Sequence, residues 1–64
     1  MDRRVLIVDD ESQIVDLLKE FLRGAGFEVD AAGDAAGALE LIRNQIFDAA
    51  VIDFNLPDMN GVML

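Results

Sequence analysis

The 64 residues include no cysteine and no histidine, one proline, and five basic side chains against 13 acidic ones. Without cysteine there is no disulfide staple. Without either residue there is no thiolate or imidazole Zn²⁺ site, and no Cys or His nucleophile or base. A net charge of −8 argues against nucleic-acid binding by this chain. No apolar run approaches the roughly 18 residues needed to span a membrane. Arg3 and Arg4 precede Val5-Leu6-Ile7-Val8, but acids begin at Asp9, so the start does not read as a signal peptide. A cytoplasmic location is the simplest reading.

What is present is apolar: 53% of the residues, eight of them alanine. That is not a disordered composition. The length allows one small domain at most. Scaling rules give an unfolded surface of roughly 10,000 Å² and a folded one of roughly 4,000 Å². Apolar burial then contributes on the order of 90 kcal/mol. Ordering the chain costs about 96 kcal/mol. A lone monomer is therefore expected to be marginal. The surplus of carboxylates points to a divalent cation or to solubility alone.

Val5-Leu6-Ile7-Val8 is a continuous apolar run rich in β-branched residues, as expected of a strand buried on both faces of a parallel sheet. It stops at Asp9-Asp10-Glu11-Ser12, a helix-start cluster with acids at the positive end of a helix dipole. Ile14, Leu17, Leu18, Phe21 and Leu22 recur at helical spacing, and Gly24 and Gly26 end that helix. Residues 27–32 alternate, which predicts a half-exposed edge strand. Asp34 is the expected N-cap of a second helix, with Leu39, Leu41 and Ile42 on its apolar face and Asn44 at its end. Gly37 inside it costs about 1 kcal/mol relative to Ala. Residues 49–52 form a third, non-alternating apolar strand. A turn-rich loop follows, and Val62-Met63-Leu64 opens a third helix.

The order is βαβαβ plus the start of a helix. Right-handed crossovers make the three strands parallel. The two non-alternating strands belong side by side, which gives the spatial order 2-1-3 with helices on both faces. Winding reverses between strands 1 and 3, and ligands bind at the carboxyl ends of strands around such a point. Asp9 and Asp10 leave strand 1 there, and Asp53 leaves strand 3. Converging carboxylates repel, and a proton or a hard divalent cation relieves the repulsion. Mg²⁺ suits a few carboxylates because it leaves positions for water or phosphate oxygens. A carboxylate beside a bound phosphate is also a possible nucleophile, giving an aspartyl phosphate. Singly, each aspartate reads as an ordinary cap or turn residue; only their convergence points to a ligand site.

Val5-Leu6-Ile7-Val8-Asp9-Asp10-Glu11 and Val51-Ile52-Asp53-Phe54-Asn55-Leu56-Pro57-Asp58-Met59-Asn60-Gly61 resemble the receiver domain of bacterial two-component response regulators. Phe47-Asp48 and Gly24-Ala25-Gly26-Phe27 match as well. The resemblance implies that residues 1–64 are the first half of a flavodoxin-like receiver fold. It implies a phosphoryl-accepting signalling module rather than a turnover enzyme, with a sensor histidine kinase or phosphotransfer protein as partner. Asp53 would be the phosphoacceptor. Asp10 and Asp53 would coordinate Mg²⁺ directly, Asp9 through water, and Asn55 through its backbone carbonyl, its side chain pointing at the phosphoryl site. Pro57 and Gly61 would shape the loop into the third helix. The family's later hydroxyl and lysine residues have no counterpart within these 64 residues, so the half-domain would be impaired as an acceptor.

Two alternatives come from other classes. One is a dehalogenase-like Mg²⁺-dependent phosphohydrolase, although Asp9-Asp10-Glu11-Ser12 departs from the Asp-x-Asp-Thr pattern of those enzymes. The other is a non-catalytic, self-associating half-domain. The third strand has no Lys, Pro or internal charge to block edge pairing. It is expected to pair with a second copy as a two-fold homodimer, with sheet order 2-1-3-3′-1′-2′.

Overall fold

The computed structural model describes residues 3–53. Strand β1 (Arg4–Val8), helix α1 (Ser12–Gly24), strand β2 (Glu28–Ala32), helix α2 (Ala35–Asn44) and strand β3 (Ala49–Ile52) follow in that order. The sheet has the order β2-β1-β3, and both pairings are parallel. This is the expected topology.

β1 is central and carries the core. Ile7 and Val8 are fully buried, Leu6 and Val5 nearly so. Strand alternation divides them between two faces. Leu6 and Val8 join Ala32, Ala35 and Ala38 under α2, with Leu41, Phe47 and Ile52 packed against that cluster. Val5, Ile7 and Val29 face the other way, beneath α1. The small side chains of Ala35 and Ala38 let α2 lie close to the sheet.

Both helices end as their residues dictate. Gly26 adopts φ +96°, a conformation that glycine reaches without a Cβ penalty. Around it the N–H of Gly26 donates to the Arg23 carbonyl at 3.0 Å and that of Phe27 to the Leu22 carbonyl at 3.0 Å. This is the Schellman closure. At the start of α2, Asp34 Oδ1 accepts the Gly37 N–H at 2.7 Å. A Cβ at Gly37 would lie 3.0 Å from that same Oδ1 and 3.4 Å from Ala32 Cβ, so glycine leaves room for the cap.

At the opposite pole, Arg4 ties three segments together. Its N–H donates to Asp48 Oδ2 at 2.8 Å. The Asp48 N–H donates back to the Arg4 carbonyl at 2.9 Å. Its guanidinium meets Asp30 at 2.7 Å and Glu28 at 3.5 Å. The Asp30 hydrogen bond chiefly, then the Glu28 and Asp30 charges, holds the guanidinium above the ordinary arginine range, against the partial burial that opposes them.

Four expectations need correction. β2 begins at Glu28 rather than Phe27, and its alternation fails at Ala31, which is half-buried beside the buried Ala32. β3 is not buried on both faces: Ala49, Ala50 and Val51 are exposed and Ile52 half-buried, because α1 and α2 both lie over β1 and β2. α1 starts at Ser12 with no acid in its first turn, and its N-cap, Glu11, makes no side-chain capping bond. The apolar arcs of the helices are also wider than the sheet they cover. Val15, Leu18 and Leu22 are half-buried, whereas Leu17 and Phe21 stay about 70% exposed, at 69% and 71%. On α2, Leu41 packs inward while Leu39 and Ile42 remain exposed.

Candidate metal centre

Register places the site. Val8 pairs with Ala32 on one side and with Ile52 on the other. The parallel ladder continues one residue past the strand ends: the Asp9 N–H donates to the Ala32 carbonyl at 3.1 Å, and the Asp53 N–H to the Val8 carbonyl at 2.8 Å. Asp9 and Asp53 are thus fixed as neighbours, and Asp10 follows on the loop. One carboxylate oxygen from each of Asp9, Asp10 and Asp53 lies within 4.8 Å of the others. Asp9 and Asp53 are half-buried and Asp10 is exposed. The structure therefore brings together the three aspartates singled out by sequence.

The donor set fits a hard divalent cation. At 4.8 Å or less, two carboxylate charges repel by between about 1 and 3 kcal/mol, depending on how well water screens them. Oxygens shared by one Mg²⁺ sit no more than about 4.2 Å apart, twice its bond length. Small side-chain rotations close that gap. Asn55, Pro57 and Gly61 lie outside the described residues.

Sequence reasoning did not foresee the cleft of about 220 Å³ beside the cluster. Ser12, Val15 and Asp16 of α1 line it together with Asp9, Asp10, and Ala31, Ala32 and Gly33 from the end of β2. It opens on the β2 side of β1, whereas the expected crevice lay between strands 1 and 3. The four-residue spacing of Ser12 and Asp16 on one helix face was the available signal.

A family profile described as response regulator receiver domain matches residues 5–64. The chain belongs to this receiver family. Curated relatives of this receiver sequence include the regulatory protein VanRc of Enterococcus gallinarum, 39% identical over 64 residues, with 100% of this chain and 28% of that protein covered. The DNA-binding response regulator MtrA of Mycobacterium tuberculosis is 39% identical over 62 residues, covering 97% of this chain and 27% of that protein. The transcriptional regulatory protein PrrA of Mycobacterium bovis is 46% identical over 59 residues, covering 92% and 25%. Among solved structures, the non-phosphorylated HemR receiver domain from Leptospira biflexa superposes with a TM-score of 0.83 at 37% identity. That match covers 92% of this chain and 48% of that one. The receiver chain thus spans about a quarter of these curated relatives and about half of the solved domain. Membership leaves the dehalogenase-like reading without support.

Proposed function

We propose that residues 1–64 are the amino-terminal half of a cytoplasmic receiver domain whose Asp53 accepts a phosphoryl group from a sensor histidine kinase or phosphotransfer protein. Asp10 and Asp53 hold Mg²⁺ directly and Asp9 through water, with the Asn55 carbonyl as a further ligand. The observation that carries this reading is the convergence of three carboxylates from two adjacent strand ends in a chain of this family. When bound, Mg²⁺ supplies positive charge against the phosphoryl oxygens. An Asp53 carboxylate oxygen bonds to phosphorus as the phosphorus–nitrogen bond of a phosphohistidine breaks. The electron pair leaves on the imidazole nitrogen, which takes up a proton. No recycling catalyst is required, so the module is a signalling acceptor rather than an enzyme. DNA binding is stated in the name of MtrA; the net charge of −8 keeps that role away from this segment.

Transfer onto the 64-residue chain taken alone is slow, because the family's lysine supplies part of the charge stabilisation and is not among these residues. Incubation with phosphoramidate and Mg²⁺, followed by intact mass analysis, tests the reading. Slow addition of one phosphoryl group that disappears in Asp53→Ala is expected. Labelling that survives Asp53→Ala assigns another acceptor, and rapid stoichiometric labelling shows the lysine to be dispensable.

We also propose that two copies pair weakly through β3. Among the described residues this strand pairs with β1 alone, and its middle is uncharged and exposed. Antiparallel two-fold pairing sets Ala50 opposite Ile52 of the other copy, because the backbone groups of these two residues face away from β1. The net charge of −8 on each copy opposes association.

A further inference from the structure

We propose that Asp9 is a positioning residue for the cation site: its hydrogen bond to the Glu11 N–H, more than its charge, sets where the Asp10 carboxylate is presented. The inference rests on the Mg²⁺ reading above and extends it. Only residues 9–11 separate the end of β1 from the start of α1. Asp9 is anchored first, through its N–H to the Ala32 carbonyl at 3.1 Å. Its Oδ1 then accepts the Glu11 N–H at 2.9 Å. Glu11 has extended backbone, φ −93° and ψ 108°, and its own side chain makes no capping bond. The turn therefore takes its shape from Asp9, not from the helix cap.

Asp10 sits between these two anchored residues. It is exposed, with little packing around it to limit its freedom. A ligand held in place before the cation arrives loses less entropy on binding. The Glu11 bond provides that restraint, and the same Asp9 carboxylate reaches the cluster with Asp10 and Asp53. Asparagine at position 9 preserves the acceptor without the charge; alanine removes both.

Amide hydrogen exchange of the metal-free chain and an Mg²⁺ titration, both by NMR, separate the two contributions. Asp9→Asn is expected to keep Glu11 amide protection within about twofold of the parent, and Asp9→Ala to lose about fivefold or more, the range of one hydrogen bond. Mg²⁺ affinity should fall at least about threefold further in Asp9→Ala than in Asp9→Asn. Asp9→Ser, whose hydroxyl also accepts from the residue two ahead, should follow Asp9→Asn and covers the case in which the alanine variant unfolds. Asp10→Asn should weaken Mg²⁺ while leaving the Glu11 amide unchanged. Equal loss of affinity in Asp9→Asn and Asp9→Ala overturns the proposal, as does an unaltered Glu11 amide in Asp9→Ala. A parent that shows no saturable Mg²⁺ response overturns the underlying cation reading, and is distinguished because the exchange measurement uses no metal.

Discussion

Asp34 and Gly37 act as a pair at the start of α2. Asp34→Ala removes the acceptor for the Gly37 N–H and is expected to cost about 1 kcal/mol in urea unfolding. Gly37→Ala would ordinarily gain about 1 kcal/mol of helix propensity. Here the new Cβ crowds the cap oxygen, so the measured gain should fall well short of that value; a full gain would show that the cap relaxes freely. At the other pole, Arg4→Met should lower the denaturation midpoint by releasing Asp30 and Glu28. Arg4 has its proton affinity raised in the fold, so its contribution is complete below the ordinary arginine range and is lost only as pH rises through the raised value. The parent-minus-variant difference should therefore carry no arginine titration at physiological pH. The cap at Asp34 was legible in the sequence because acceptor and helix start are local. The reason for Gly37 was not, since Ala32 and Asp34 crowd it only once β2 and α2 are packed. Asp9 was legible as a helix-start acid, but its actual partner, the Glu11 amide, depends on the turn.

At the level of elements, β1 and β3 have the same apolar, non-alternating signature but different surroundings. β1 is paired on both edges and covered on both faces, whereas β3 runs beyond the two helices. A four-residue run reports that its side chains suit a buried strand; it carries no information about which neighbours cover it. The same holds for α1, where helical spacing identified the apolar arc but not that Leu17 and Phe21 lie outside the contact with the sheet. Sedimentation over a concentration range is expected to show weak dimerisation of the chain, strengthened by added salt as the repulsion between two copies of net charge −8 is screened. Ala50→Pro should abolish it by removing an outward-facing donor: the Asp53 amide bonds Val8 on β1, so by alternation the Ala50 and Ile52 amides face the open edge. A monomer at all salt concentrations, or association untouched by Ala50→Pro, would contradict pairing through β3.

For the molecule as a whole, topology was the most legible property. Right-handed crossovers and the contrast between alternating and continuous strands allow few arrangements, and the order β2-β1-β3 follows. That order is what brings Asp9, Asp10 and Asp53 together, so three of the candidate ligands were legible in the sequence. The cleft lined by Ser12, Val15 and Asp16 was not, because it depends on how α1 packs against β2. Among the described residues, Leu17, Phe21, Ile46 and Val51 leave much of their apolar surface exposed, so the fold is thinly covered. A bound cation should therefore be felt globally: at about ten times its dissociation constant Mg²⁺ adds about 1.4 kcal/mol to unfolding free energy.

The most direct test of the central claim, that the ends of β1 and β3 build one divalent-cation site, is an Mg²⁺ titration followed by NMR on the parent and three charge-neutralising variants. The parent should show saturable shifts centred on residues 9–11 and 53. Asp10→Asn and Asp53→Asn should each weaken binding by about tenfold or more, as expected when a charged ligand is lost. Glu40→Gln removes the same charge from an exposed position on α2 and should bind like the parent. If both aspartate variants titrate as the parent does, the three carboxylates do not form the site.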